Sequence, residues 1–280
     1  MLSKRIIPRL DIKGPNLVKG IHLEGLRVIG HPESFAKKYY EDGADEILYI
    51  DTVASLYGRN NLSGIVEKTT RDVFVPICVG GGIRSRQDAD ILFRCGADKV
   101  AINTGAVSNP RVISDMADTY GCQSIVAYIE ARRNGASYDI LTNNGRDETN
   151  IDLKQWIDTV INMGAGEILL TSVDRDGTGL GFDCDLLSYV DKLSVPVILH
   201  GGAGNYSHFK QALNSGTDAV CAASVFHYNY IGMNTDDFVE GNTDFIQGKR
   251  GGIPKNICPM AISDLKSNLS VDGIQCRTKW

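Results

Sequence analysis

Pro76-Ile77-Cys78-Val79-Gly80-Gly81-Gly82-Ile83, followed by Cys95-Gly96-Ala97-Asp98-Lys99-Val100, is a stretch that the chain states twice. Pro196-Val197-Ile198-Leu199-His200-Gly201-Gly202-Ala203, followed by Ser215-Gly216-Thr217-Asp218-Ala219-Val220, stands 120 positions later. Each copy has the form apolar strand, glycine turn, helix, Gly-x-Asp and second apolar strand, which is half of a larger closed object. Working outward, Gly43-Ala44-Asp45-Glu46-Ile47-Leu48 returns at an offset of 121 as Gly164-Ala165-Gly166-Glu167-Ile168-Leu169, and Asp11 falls opposite Glu130 at an offset of 119.

Short runs rich in Ile, Val and Leu lie at 5–11, 46–51, 75–79, 99–103, 124–130, 167–172, 196–200 and 219–223. Helix-type spacing fills 35–40, 87–94, 112–120, 153–163 and 209–214, with stops near glycine. Four strands per half make eight, so the expected fold is α/β: a single (β/α)₈ TIM barrel with a twofold half-barrel repeat, covering residues 1–280 as one domain. An open doubly wound sheet is the alternative, and the internal symmetry weighs against it. One segment, at about 229–258, is rich in Gly, Asn and Asp and reads as an insertion between the eighth strand and a last helix near 261–269.

A length of 280 residues, 42% hydrophobic and 22% charged, suits a soluble enzyme with a sizeable core. The net charge of −5 gives no basic footprint for nucleic acid. The start has too short an apolar run for a secretory signal, and nowhere do about 18 apolar residues follow one another. The expectation is a cytoplasmic protein with no membrane contact. Seven cysteines without a C-x-x-C pair suggest neither a disulfide framework nor a zinc site, so no metal is expected.

The chemistry is expected on the loops after the strand C-termini. Turns at Gly80-Gly81-Gly82 and Gly201-Gly202, each beside a second turn at Asn103-Thr104-Gly105 or Ala223-Ser224, can cradle a phosphate with backbone N–H groups. Two cradles suggest an elongated bisphosphate; tight turns alone would use the same glycines. Asp11 and Glu130 end strands on opposite sides of the mouth, where paired carboxyls can divide acid and base roles. Helix capping or ion pairing is the plainer use of such carboxylates. Asp51, Asp174 and Asp176 also lie near strand ends. At the other end, strand alternation brings Arg5, Glu46, Lys99 and Glu167 to one ring of two cations and two anions, either a stabilising salt-bridge ring or a gate.

Lys4-Arg5-Ile6-Ile7, Leu10-Asp11, Val18-Lys19-Gly20, Val79-Gly80-Gly81-Gly82-Ile83, Ile102-Asn103-Thr104, Gly164 to Ser172 and Asp174-Arg175-Asp176-Gly177-Thr178 resemble the HisF family, the cyclase subunit of imidazole glycerol phosphate synthase. The likeness runs from residue 1 to about 228 and resumes weakly at 262–277. It implies a barrel that receives ammonia from a HisH-like glutaminase docked at its bottom face. It also implies a lyase and cyclisation reaction on a phosphoribulosyl-formimino carboxamide ribotide, yielding imidazole glycerol phosphate and an aminoimidazole carboxamide ribotide. Carried over by position, Asp11 is the principal acid/base residue, Glu130 stands at the second catalytic carboxylate, and Lys19 sits in a mobile first loop. Gly82, Asn103 and Thr104 would hold one phosphate, and Gly177, Gly202 and Ser224 the other, with Asp51, Thr171 and Asp176 as further substrate contacts. Arg5, Glu46, Lys99 and Glu167 would form the ammonia gate, and Asp98 and Gln123 the glutaminase interface. No metal or organic cofactor is implied.

The departures from the family pattern are local. Glu130 replaces an aspartate, Arg9 and Tyr128 replace small inward residues, and His200 replaces a serine. An inward Arg9 demands a partner, and Glu130 is a candidate, in which case it would be a structural ion-pair member and not the general acid. These departures and the insertion also fit a paralogous branch of the family, in which a HisF-like barrel delivers ammonia to a separate sugar amidotransferase. The related phosphosugar isomerase barrels share the half-barrel repeat but have no use for an ammonia gate.

Overall fold

The computed structural model describes residues 3–54, 62–233 and 253–278. Eight parallel strands close on themselves: β1 (Arg5–Lys13), β4 (Ile47–Asp51), β5 (Ile77–Gly80), β6 (Lys99–Ile102), β7 (Ile125–Asn134), β10 (Glu167–Ser172), β11 (Val197–His200) and β12 (Ala219–Ala222), with β12 pairing back to β1. The (β/α)₈ barrel expected from the repeat is the fold observed. β1 and β7 stand diametrically opposite, four steps apart either way round.

The helices outside the barrel include α1 (Pro32–Glu41), α2 (Ser63–Thr69), α3 (Arg86–Arg94), α4 (Thr104–Ser108), α5 (Arg111–Tyr120), α6 (Leu153–Asn162), α7 (Tyr206–Asn214), α8 (Ser224–Met233) and α9 (Ile262–Val271). The repeat extends to their caps. Ser85 caps α3 in a capping box with Asp88, and Asn205, 120 residues on, caps α7 through the His208 N–H. Outward strand residues such as Ile6, Leu10, Val79 and Leu199 pack on Phe35, Val66, Leu92 and Phe209 from the helices. A second apolar cluster, with Ile7, Leu48, Cys78, Val126, Leu169 and Ile198, fills the barrel itself.

The repeated motifs have physical reasons. In each Gly-x-Asp, the carboxylate accepts the N–H at or near the start of the preceding barrel strand: Asp45 from Ile6 at 2.8 Å, Asp98 from Ile77 at 2.8 Å and Asp218 from Val197 at 2.9 Å. Those strand ends would otherwise leave a buried donor unmatched. Gly81 and Gly201 both adopt positive φ, and a Cβ on either would lie 2.5 Å from the carbonyl oxygen of Asp51 or Ser172, so only glycine fits the turn.

Two features depart from the sequence expectation. The loops after β1 and β7 are antiparallel hairpin extensions: β2 (Asn16–Ile21) with β3 (Glu24–Gly30), and β8 (Ser137–Thr142) with β9 (Asp147–Asp152). Regular structure also continues past Asn229, because α8 runs to Met233. Phe226, His227, Tyr228, Tyr230 and Ile231 of this helix are all buried, so no polar face marks its period in the sequence. Of the expected insertion, residues 234–252 lie outside the described residues. Its end packs down, with the Cys258 N–H 2.7 Å from the Gly204 oxygen and Ile257 buried. No described helix is long and apolar enough to cross a membrane.

Candidate functional site

Strand alternation turns Arg5, Ile7, Arg9 and Asp11 of β1 toward the axis. At the mouth, Asp11 and Glu130 end the inward rows of β1 and β7, and both are almost wholly buried. Their environments differ. Asp11 accepts a hydrogen bond from Arg9 Nε at 2.8 Å. Arg9 therefore pairs with Asp11, two residues along its own strand, and not with Glu130 as the sequence suggested. The same guanidinium reaches over the Tyr128 ring and donates from Nη1 to the Tyr128 hydroxyl at 3.0 Å.

Glu130 accepts the Gly145 N–H at 2.8 Å. Burial pushes its carboxyl up to about 7, against the Tyr128 hydroxyl, the Gly145 N–H and Arg9, which favour the ionised form. A carboxyl with that value exchanges a proton near neutrality, and a neighbouring carboxylate held by a guanidinium does not share its environment.

The first hairpin closes over the mouth. Lys19, on β2 and buried, pairs with Asp176 at 3.2 Å, and Asp176 also accepts the Leu23 N–H at 3.2 Å. Lys19 thus lies on a strand of the hairpin that forms the first loop. Burial would raise the Asp176 carboxyl, but Lys19, aided by Arg9, holds it at about 2. His200 faces the same cluster. Its Nδ1 lies 3.1 Å from Thr171 Oγ1 and 3.4 Å from Arg9 Nη1, which can only donate, so the Nε2 side carries the proton toward Asp176 Oδ1 at 3.8 Å. Burial, and then Arg9, keep this imidazole neutral by lowering its pKa well below the ordinary value.

The two glycine turns flank this centre. Gly82, Asn103, Thr104 and Glu130 line one small recess of about 30 Å³ together with Asp51, Arg84 and Asn144. Asp51 Oδ1 accepts the N–H groups of Val53 and Ala54, which shapes the turn beside it. On the far side, Gly202 lies against the Gly181 carbonyl and the Arg175 side chain, and Gly177 against the first hairpin at Gly20 and Ile21. Ser224 starts α8 and is buried, while Asn256 closes on Gly204 and Gly179. Asn143, Asn144 and Gly145, the β8–β9 turn with positive φ at all three residues, escaped the sequence reading, although Asn-Asn-Gly is a hairpin signal.

At the bottom the four charges meet as one ring. Arg5 bridges Glu46 at 2.9 Å and also contacts Glu167, and Lys99 bridges both carboxylates at 2.8 Å. Arg5, Lys99 and Glu167 face a cavity of about 600 Å³ that Gln123 and Asp218 also line. Asp98 and Gln123 are exposed on this face, with Asp98 bonded to the Ile77 N–H and Gln123 to the Tyr120 carbonyl. Among the described residues no group of three or more His, Cys, Asp or Glu side chains could hold a metal ion.

A family model described as "Histidine biosynthesis protein" matches residues 5–232. The chain is 56% identical over 211 residues to the imidazole glycerol phosphate synthase subunit HisF of Legionella pneumophila, covering 75% of this chain and 100% of the relative. The corresponding subunit of Pyrobaculum aerophilum is 47% identical over 235 residues, covering 83% and 93% of the two chains. That of Bifidobacterium adolescentis is 43% identical over 237 residues, covering 82% and 93%.

The chain belongs to the HisF family of histidine biosynthesis proteins. Residues 5–232, which span the family match, carry all eight strands of this HisF-type barrel, its ring and both glycine turns. The end of the expected insertion and α9 fall outside that span.

Proposed function

We propose that the chain is a lyase of the cyclase (synthase) type in histidine biosynthesis, working as the synthase subunit of a glutamine amidotransferase. Its substrate in this reading is the phosphoribulosyl-formimino carboxamide ribotide, which ammonia converts to imidazole glycerol phosphate and aminoimidazole carboxamide ribotide. One observation carries the reading: Asp11 and Glu130 sit at the mouth on diametrically opposite strands, between two glycine turns, and one is held by a guanidinium while burial holds the other near 7.

In the proposed complex, Gly82, Asn103 and Thr104 bind one phosphate and Gly177, Gly202 and Ser224 the other. Asp11 and Glu130 exchange protons at the closing ring. Thr171, Asp51, Lys19 and Asp176 complete the mouth. Because Lys19 occupies the Asp176 carboxylate at 3.2 Å, substrate reaches Asp176 only when the first hairpin lifts. A HisH-type glutaminase docks on the bottom face at Asp98 and Gln123 and supplies ammonia at the ring of Arg5, Glu46, Lys99 and Glu167. The cavity of about 600 Å³ below the ring supports that placement.

The test is turnover of the purified ribotide with free ammonium, alongside growth of a histidine auxotroph lacking its own cyclase. Turnover and growth are expected. Neither occurring, in a chain that still binds a glutaminase tightly, would sink the reading. A second reading, ammonia delivery to a separate sugar amidotransferase, draws on the Asp11–Arg9 pair, since a carboxylate tied to a buried arginine is also what a structural ion pair looks like. That reading expects glutaminase binding without ribotide turnover.

A further inference from the structure

In a barrel of this kind the interior is stacked in layers, each built from inward residues of alternate strands. One layer here consists of Arg9 on β1, Gly80 on β5, Tyr128 on β7 and His200 on β11. Arg9 and Tyr128 bridge the full diameter at 3.0 Å, and His200 Nδ1 flanks the bridge at 3.4 Å from Arg9. Gly80 leaves the fourth position without a side chain, but Ile50 fills it: a Cβ on Gly80 would lie 2.6 Å from Ile50 Cδ1.

The layer is tight. Arg9 is 0%, Tyr128 4%, His200 1% and Ile50 2% exposed, and Ile7, Cys78, Val126 and Ile198 beneath them are equally inaccessible. Ammonia and water are of similar size, so a passage open to one would expose these side chains to the other. The axis is thus shut twice, once at the charged ring and again at Arg9.

Arg9 is not fully satisfied in this position. Its Nη2 is buried with no hydrogen-bond partner among the described residues, whereas buried donors in native proteins are nearly always matched. Among the described residues its one anionic contact within hydrogen-bond range is Asp11, which the proposed function uses for chemistry. A guanidinium with an unmatched donor, tied to a carboxylate that substrate would engage, has a reason to move when substrate arrives.

We infer that Arg9 is a positioning residue for Asp11 and also the inner closure of the barrel axis, so that a small neutral nitrogen nucleophile from the ring reaches the mouth only while the guanidinium is off Asp11. The inference rests on the functional reading above. It makes transport and proton transfer compete for one side chain.

The experiment compares two nitrogen supplies in the complex with a glutaminase subunit: free ammonium, which reaches the mouth from solution, and glutamine, whose nitrogen arrives along the axis. Arg9→Ala is expected to lower the ammonium-driven kcat about tenfold, the cost of a misoriented acid/base group. The ratio of glutamine-driven to ammonium-driven kcat should rise at least threefold, and Arg9→Lys should recover most of the ammonium-driven kcat. A merely structural residue would lower both supplies together. An unchanged ratio overturns the closure, and an unchanged ammonium-driven kcat overturns the positioning role.

A second measurement needs neither ribotide nor partner. Cys78 and Cys221 lie in the barrel interior, whereas Cys122 and Cys258 are exposed. With methylmercury as the probe and peptide mass mapping as the readout, the native protein should label at the exposed Cys122 and Cys258 and more slowly at the half-buried Cys95, Cys184 and Cys276, but scarcely at Cys78 and Cys221, and Arg9→Ala at least tenfold faster at those two interior thiols. Equal interior labelling in the two proteins overturns the closure. If the native protein turns over no ribotide with either supply, the functional reading fails and the labelling result alone decides the closure.

Discussion

Arg9 Nη1 on β1 and the Tyr128 hydroxyl on β7 meet at 3.0 Å across the whole width of the barrel. The phenol is a bridge between two ionisable systems, since it accepts from the guanidinium and also favours the ionised form of Glu130. Tyr128→Phe keeps the ring and removes the bridge. The expected cost is about 1–3 kcal/mol, because Arg9 then holds further unmatched donors in a buried layer. Glu130 should move still higher than about 7, which carboxyl-resolved NMR titration would read. A stability and a titration both unchanged would mean that the bridge couples nothing.

Glu130→Gln separates chemistry from stability. The carboxyl sits at about 7 in the fold against an ordinary value of 4.5. Between those values the native state keeps a proton that the unfolded chain has released, so stability declines as pH rises through this window and levels off above it. Glutamine retains an acceptor for the Gly145 N–H without a charge to bury. The variant should be more stable than the native protein at pH 8, by at most ~3 kcal/mol, and lose that advantage near pH 4. Turnover should fall about 100-fold or more. Thermal unfolding at the two pH values gives the first answer, and steady-state rates the second.

The barrel was legible because its period-2 strands, glycine turns and Gly-x-Asp repeats are local signals that recur. The ring of Arg5, Glu46, Lys99 and Glu167 followed from the same alternation and is observed as expected. Partner choice inside the barrel was not legible. Alternation brings Asp11 and Glu130 equally to the axis, and only the direction of the Arg9 side chain decides between a neighbour on its own strand and a carboxylate across the barrel. The hairpins after β1 and β7 were hidden for another reason. Asn143-Asn144-Gly145 is a readable turn, but His22 and Leu23 adopt positive φ without glycine and give no such sign. α8 gave no sign in the sequence because most of its residues are buried and no polar face marks an amphipathic period.

Lys19 and Asp176 hold the first hairpin down, and acid should release it. Asp176 is kept at about 2 against an ordinary 3.8, so its contribution is present above the unfolded value and lost as pH falls through about 2. The size of that contribution is about 2 kcal/mol. Asp176→Asn should free the hairpin at neutral pH, leaving Lys19 buried without its counter-charge. Hydrogen exchange across residues 17–27 should then rise at least tenfold, while the β10 amides stay protected. Equal protection of the hairpin in native and variant proteins would show that apolar packing of Leu23 on Leu141 and Val173 suffices.

The turns at Gly81 and Gly201 should respond alike, because a Cβ on either would lie 2.5 Å from a carbonyl oxygen of the preceding barrel strand. Gly81→Ala and Gly201→Ala each combine a positive φ with a backbone clash. Each should cost about 2 kcal/mol or more in denaturant unfolding. Gly43→Ala also has a positive φ but meets nothing within 4 Å, so it should cost about 1 kcal/mol. Equal costs at all three positions would remove close approach as the reason for the repeated glycines.

The ring at the barrel bottom is the last case, and it distinguishes a coupled network from four independent charges. Burial raises the Glu46 carboxyl, with Lys99 the largest opposing charge and Arg5 also opposing. Lys99→Met leaves Glu46 and Glu167 facing each other with Arg5 alone between them. The two cations are 25% and 18% exposed, so water reaches them and the expected loss is about 2 kcal/mol, below that of a fully buried pair. Lys154→Met, at an exposed i,i+4 pair with Asp158, should cost under ~0.5 kcal/mol. Glu46→Gln in the Lys99→Met background removes a carboxylate that has lost its counter-charge, so the double variant should cost less than the sum of the singles by about 1 kcal/mol. Additive costs would mean that the ring is four surface charges sharing a place, with no cooperative closure at that end of the axis.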